Sequence, residues 1–157
     1  MKPRLNLLEV GQGAFKAMLG LSGYLAKCGL ETNLLHLLEM RVSQINGCAY
    51  CIDMHSKDLR AEGETEQRLY LLDAWREAPF YTDRERAALA WAEAVTLLTD
   101  RQVPDDVFEE ARKHFSESEL VNLTTAIVAI NGWNRFNIAF RNIAGDYKAG
   151  AYRQWLK

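Results

Sequence analysis

The chain has 157 residues, 48% apolar and 25% charged, with a formal net charge of −2. That is enough apolar content for one well-buried domain over residues 1–157, and the mixed-sign surface offers no basic footprint for nucleic acid. No run approaches the roughly 18 apolar residues of a membrane span, the first ten residues lack the apolar stretch of a secretory signal, and three cysteines are too few for a secreted disulfide framework. The protein therefore reads as cytoplasmic.

Taken in order, the chain reads as helix after helix. Val10 to Lys27 carries Ala14, Met18, Leu21 and Leu25 at three- and four-residue spacing, and Cys28-Gly29 ends it, with Cys28 a half-buried small side chain. Glu31 to Ile45 follows, with Leu34, Leu35, Leu37, Leu38, Val42 and Ile45 forming an apolar set too broad for a surface stripe, so this helix is expected to be buried on more than one side. Asn46-Gly47 is a turn signal, after which Cys48 to Leu59 reads as a helix closing near Gly63. Thr65 is placed to cap a helix through about Arg76. Thr82 and Glu85 form a capping box before Ala87 to Leu98, and Pro104 suits the first position of the next helix, with Asp105 and Asp106 in its first turn. A second capping box, Ser116 with Glu119, opens the long segment Leu120 to about Arg141. There, Trp133 and Phe136 are expected to fill core. Asn131, Asn134, Arg135 and Asn137 are read as meeting water or a neighbouring subunit, with a pocket lining as the other reading. From Gly145 onward the sequence predicts a frayed tail whose Tyr152 and Trp155 are free to dock on another subunit. No β-alternating run is present, so the fold class is all-α, a bundle of about six to seven helices without a sheet.

The chemistry concentrates in S-Q-I-N-G-C-A-Y-C-I-D-M-H, Ser43 to His55. At about 100° per residue, Cys48, Cys51 and His55 fall within about 60° of one another around the helix axis. Two cysteines three apart have Cα atoms roughly 5 Å apart, inside the range a disulfide accepts, so the pair can open and close with little backbone movement. Unpaired N–H groups and the helix dipole favour a thiolate at the helix start, and an imidazole one turn on can take the proton. These residues point to thiol redox chemistry. They do not decide which cysteine attacks: the dipole favours Cys48, nearer the helix start, and the four-residue step to His55 favours Cys51.

The block Met40 to Ser56, M-R-V-S-Q-I-N-G-C-A-Y-C-I-D-M-H-S, resembles the core of the carboxymuconolactone decarboxylase superfamily, in its alkyl hydroperoxidase D-like branch. The similarity continues through Gly63 to Thr96 and through A-I-N-G-W-N-R-F-N-I-A-F-R, Ala129 to Arg141, so it covers about residues 34–141. The resemblance implies an all-helical fold, a homo-oligomer (trimer or hexamer), and peroxide reduction without a cofactor or metal. It also implies the roles: Cys51 attacks the peroxide, Cys48 resolves the sulfenic acid to a disulfide, and His55 helps deprotonate the nucleophile. A thioredoxin-like or lipoyl dithiol is the implied reductant. A ring-opening decarboxylase would not need the cysteine pair.

One position departs from the pattern. The family usually has a glutamate twelve residues before the first cysteine, joined to the histidine in a proton relay, and this chain has His36 there, with Glu39 one turn later. His36 is read either as a core or interface histidine or as the stand-in for the relay carboxylate. A neutral imidazole cannot supply the negative charge that stabilises a protonated His55, so the sequence predicts that His36→Glu speeds the reaction with peroxide. The rival readings are a zinc site built from Cys48, Cys51, His55 and His36, and a helical oligomer without catalytic activity.

Overall fold

The computed structural model describes residues 2–155 and, of Arg153, the backbone alone. In chain order the helices are α1 (Leu7–Val10), α2 (Gln12–Leu25), α3 (Thr32–Asn46), α4 (Ala49–Ala61), α5 (Glu66–Tyr70), α6 (Asp83–Leu97), α7 (Asp105–His114) and α8 (Glu117–Phe140). Six of these eight have seven or more residues, and there is no strand among the described residues. The all-α expectation holds.

The apolar breadth of α3 is explained by its neighbours: it packs against α4, α6 and α8 at once. Leu34, Leu35, Leu38 and Val42 join Ala88, Ala92, Leu123, Ile127 and Ile130 in one buried cluster. Leu37 and Met40, on another side of the same helix, join Leu59, Leu69, Leu72 and Trp75 in a second. Each fully buried leucine contributes on the order of 1.5–3 kcal/mol of transfer free energy, which is why a helix with this composition occupies the centre. Both capping boxes form: the Thr82 and Ser116 side chains accept from the backbone N–H three residues on, and Glu85 and Glu119 reach back to the cap backbone.

Two local expectations need correction. The segment after Thr65 is not one helix to Arg76 but α5 followed by a tight turn of 3₁₀ type at Leu72–Ala74. Leu69, Leu72 and Trp75 are all buried; the three-residue step stacks side chains more closely in a 3₁₀ turn than in an α-helix, where each would turn about 60° from the last. Pro104 is the N-cap of α7 rather than its first helical residue.

The tail is the larger correction. Tyr147 is buried and its hydroxyl donates to the Asp58 carboxylate at 2.9 Å, while the Gly150 N–H donates to Asp58 Oδ1 at 2.8 Å. Upstream, Lys57 Nζ donates to the Gly145 carbonyl at 2.8 Å and the Gly145 N–H donates to Asp53 Oδ2 at 3.0 Å. Tyr152 bonds to Tyr50 through their hydroxyls, and the Trp155 ring meets Phe15 edge-on at 6.1 Å. Asp53, Lys57 and Asp58 on α4 thus hold the tail against its own chain. The tail has no apolar periodicity, so its order rests on partners about ninety residues away.

Candidate active site

The turn between α3 and α4 sets the site. Gly47 takes the left-handed conformation at φ 68°, its N–H bonds back to the Gln44 carbonyl, and the Cys48 N–H reaches the Ser43 carbonyl at 3.0 Å. These two bonds close α3, and a side chain at residue 47 would strain the conformation that makes them. The chain then enters α4 at once. Cys48 is its N-cap, with extended backbone, and not a first-turn residue as the sequence suggested; its sulfur accepts the Cys51 N–H at 3.4 Å.

Both cysteines are free and buried, with their sulfurs 2.7 Å apart and one thiol donating to the other sulfur. The contact divides the two acidities. The hydrogen bond it shares with Cys51 holds the Cys48 thiol below its ordinary pKa, against the opposing effect of burial, and the Cys51 N–H and Asn134 add to it. The same shared hydrogen bond, together with burial, pushes the Cys51 thiol well up. The two titrate as a unit, so the first proton leaves the pair and the charge rests mainly on Cys48.

A cavity of about 860 Å³ lies beside the pair, walled by α2, α3, α4, α8 and the tail. Cys51 lines it and Cys48 does not. From α8, Asn137 Nδ2 donates to Cys51 Sγ at 3.2 Å. Asn134, fully buried, donates to Ser43 Oγ at 3.0 Å, and Asn46 Nδ2 donates to Asn134 Oδ1 at 2.9 Å. The polar side chains of α8 therefore divide: Asn134 and Asn137 tie that helix to the cysteine turn, and Trp133 with Asn137 lines the cavity. The pocket-lining reading holds for Trp133 and Asn137, Asn134 is buried outside the cavity lining, and Arg135 is exposed to water as expected.

His55 is buried on the cavity wall, and neither ring nitrogen has a hydrogen-bond partner. Burial, with a smaller contribution from the charge of His36, pushes its pKa down to about 3. The carboxylate beside it is Glu39, whose Oε2 stands 3.5 Å from His55 Nδ1. Desolvation raises Glu39 to about 7, with His36 opposing and Asp58 and Glu62 assisting. His36 also faces the cavity, its ring centroid 6.1 Å from that of His55, but its Nδ1 is held by Glu62 Oε2 at 2.8 Å. The structure thus brings His36 to the site without joining it to His55, and it brings Glu39 in its place. The four residues of the zinc alternative do not converge: among the described residues no group of three or more His, Cys, Asp or Glu side chains is arranged to hold a metal.

The sequence profile of the carboxymuconolactone decarboxylase family matches residues 12–94, a little over half of the chain. The chain belongs to the carboxymuconolactone decarboxylase family. It is 42% identical over 146 residues to the uncharacterized protein YdfG of Bacillus subtilis, covering 93% of this chain and 99% of that one. Among solved structures, a protein of unknown function from Agrobacterium tumefaciens, whose description connects it with the antioxidant defence protein AhpD, is 46% identical with a TM-score of 0.89, covering 93% of this chain and all of that one. This likeness puts the chain in the AhpD-like branch of the carboxymuconolactone decarboxylase family. The debrominase Bmp8, solved as a cysteine-to-alanine variant in complex with 2,3,4-tribromopyrrole, shares the fold at 20% identity and a TM-score of 0.76, over 95% of this chain and 78% of that one. No helix among the described residues of this family member is long and apolar enough to cross a membrane.

Proposed function

We propose that the protein is a thiol-dependent peroxidase of antioxidant defence, with Cys51 and Cys48 cycling between dithiol and disulfide. The observation that carries the reading is Cys51 itself: it is a cavity-wall residue with a second thiol 2.7 Å away. A peroxide entering the cavity meets Cys51 first, and the short sulfur-to-sulfur contact lets the proton pass to Cys48 so that the charge moves to the attacking sulfur. The Cys51 thiolate attacks one peroxide oxygen, the O–O bond breaks, and Cys51 becomes a sulfenic acid while the other oxygen leaves as alkoxide or hydroxide. The proton lost by the thiol pair passes through His55 to that leaving oxygen. Cys48 then attacks the sulfenic sulfur, a disulfide forms, and water leaves.

Re-reduction requires a second dithiol, for which a thioredoxin-like or lipoyl protein is the candidate, in a reducing compartment such as the cytoplasm. His55 acts as the proton carrier and Glu39 as the charge that supports its imidazolium. His36 acts at one remove, through its effect on both. Exposed Val121 and Val128 on α8, beside Phe108 of α7, support self-association as a trimer or hexamer.

Thiol counting before and after one equivalent of cumene hydroperoxide tests the reading. Two of the three thiols should disappear and return on addition of a dithiol. An unchanged count would sink it.

A further inference from the structure

Cys48 and Cys51 share a hydrogen bond at 2.7 Å, and the charge left when the first proton departs rests mainly on Cys48. Cys51 lines the cavity and Cys48 does not, so the charge has to cross to Cys51 before that sulfur can attack anything held there. His55 does not hold it on Cys51, since neither ring nitrogen has a hydrogen-bond partner.

Asn134 and Asn137 stand three residues apart on α8, as Cys48 and Cys51 do at the start of α4, and the two helices pack together. Asn134 stabilises charge on either sulfur and so does not choose between them. The Asn137 bond goes to Cys51: its Nδ2 donates to Sγ at 3.2 Å from a position on the cavity wall.

The end of α8 fixes which way that amide faces. Arg141 takes the left-handed conformation at φ 58°, folding the chain back so that the Asn142 backbone N–H reaches the Asn137 backbone carbonyl at 3.0 Å. The Asn142 side chain then donates through Nδ2 to Asn137 Oδ1 at 2.5 Å. With its oxygen engaged, the Asn137 amide presents its N–H to the sulfur, and a thiolate takes such a donor more strongly than a thiol does.

We propose that Asn137 is a further catalytic residue, whose amide N–H draws the charge of the thiol pair onto Cys51, with Asn142 as the positioning residue that keeps the nitrogen toward the sulfur. In this step the Cys51 proton passes to the Cys48 sulfur. The pair keeps its one proton and one negative charge throughout, and the Asn137 hydrogen bond strengthens as the charge arrives. The role rests on the peroxidase reading for the oxidant that Cys51 meets, and on the Asn137–Cys51 contact for the choice of sulfur.

Iodoacetamide tests this without peroxide, because it alkylates a thiolate, forming a carbon–sulfur bond and releasing iodide. The rate at each cysteine is read by peptide mass spectrometry across about pH 6 to 9.5, the range that brackets an ordinary thiol, with Cys28 as the reference. Asn137→Ala opens space beside Cys51 and Asn137→Leu fills it. Both should lower the plateau of the Cys51 rate about tenfold or more, the scale of a lost hydrogen bond to a charged atom. The pH midpoint should stay in place, because the charge that titrates rests on Cys48. In a Cys48→Ser protein Cys51 titrates alone, and there Asn137→Ala should raise the midpoint by about one pH unit. Asn142→Asp offers a carboxylate that takes the Asn137 N–H away from the sulfur, so it should also lower the plateau, and it serves if both substitutions at residue 137 cost the fold. An unchanged Cys51 plateau in the folded variants, opposite changes in Asn137→Ala and Asn137→Leu, or an unmoved midpoint in the Cys48→Ser background would overturn the proposal. If hydroperoxide leaves the native thiols intact while the alkylation result holds, the peroxidase reading falls and the choice of sulfur by Asn137 stands.

Discussion

Glu39 and His55 face each other across the α3–α4 contact, Oε2 to Nδ1 at 3.5 Å, on the wall of the cavity that Cys51 also lines. Their acidities lie in the reverse of the usual order, with the carboxyl raised to about 7 and the imidazole lowered to about 3. Near neutral pH, His55 is therefore an uncharged base, and the state of Glu39 decides how readily it takes a proton. A protonated Glu39 cannot support an imidazolium; an ionised one at this distance favours it by about one to three pKa units.

Peroxide oxidation of the thiols should therefore rise with pH through about 7, as Glu39 ionises. Glu39→Gln should remove that limb and slow oxidation at about pH 7.5 by roughly tenfold or more. Stopped-flow thiol consumption across about pH 6 to 8.5 checks it; an unaltered profile in the folded variant would remove Glu39 from the proton path.

The same pair makes stability depend on pH in opposite directions. Glu39 rises from 4.5 to about 7 on folding, so the folded chain holds a proton that the unfolded chain releases, and stability falls as pH climbs between those values. His55 drops from 6.5 to about 3, so its contribution grows with pH across that window. The slopes oppose each other where the windows overlap. Glu39→Gln should leave a stability that rises with pH, and His55→Gln one that falls, both read from urea unfolding between pH 4.5 and 6.5.

Cys51→Ser should abolish reaction with peroxide. Cys48→Ser should permit the first oxidation and leave Cys51 as sulfenic acid, open to the sulfinic state, visible by mass spectrometry as one and then two added oxygens. A Cys51→Ser protein that still gains oxygen at Cys48 would exchange the roles, consistent with the lower pKa of Cys48 deciding the attack.

His36→Glu, which the sequence alone predicted to speed the reaction, is now expected to slow it. Glu62 already occupies the His36 Nδ1 at 2.8 Å, and a carboxylate at residue 36 would meet Glu62 as a like charge and hold Glu39 protonated to higher pH. His36→Gln should move the pH limb upward for the same reason, because His36 lowers the pKa of Glu39, with a smaller loss near neutral pH than His55→Ala. The pH profiles of the three variants decide; a faster His36→Glu protein would restore the relay reading of that position.

Tyr147→Phe should destabilise the fold by about 1.5–3 kcal/mol, the range for a buried hydrogen bond to a charged group. Its hydroxyl donates to Asp58 at 2.9 Å. Urea midpoints measure the effect, and a change below about 0.5 kcal/mol would mean that the tail contributes little to stability in solution.

The helices, their two capping boxes and the grouping of Cys48, Cys51 and His55 could all be read along the chain, because each depends on residues three or four apart and helix geometry makes such spacing spatial. The break after α5 escaped that reading: α-helical and 3₁₀ windings both suit Leu69, Leu72 and Trp75, and only packing against Leu37 and Leu59 selects the tighter one. Nothing in local spacing distinguishes His36 from Glu39, one turn apart on α3. Which of them reaches His55 depends on the rotation of α3 against α4, and that is set by burying apolar side chains on several sides of α3 at once. Asn137 reaches Cys51 across 86 positions and Tyr147 reaches Asp58 across 89. Sequence periodicity carries no record of contacts so distant; they arise when the helices pack, and so does the cavity that turns a pair of thiols into a site with a substrate side.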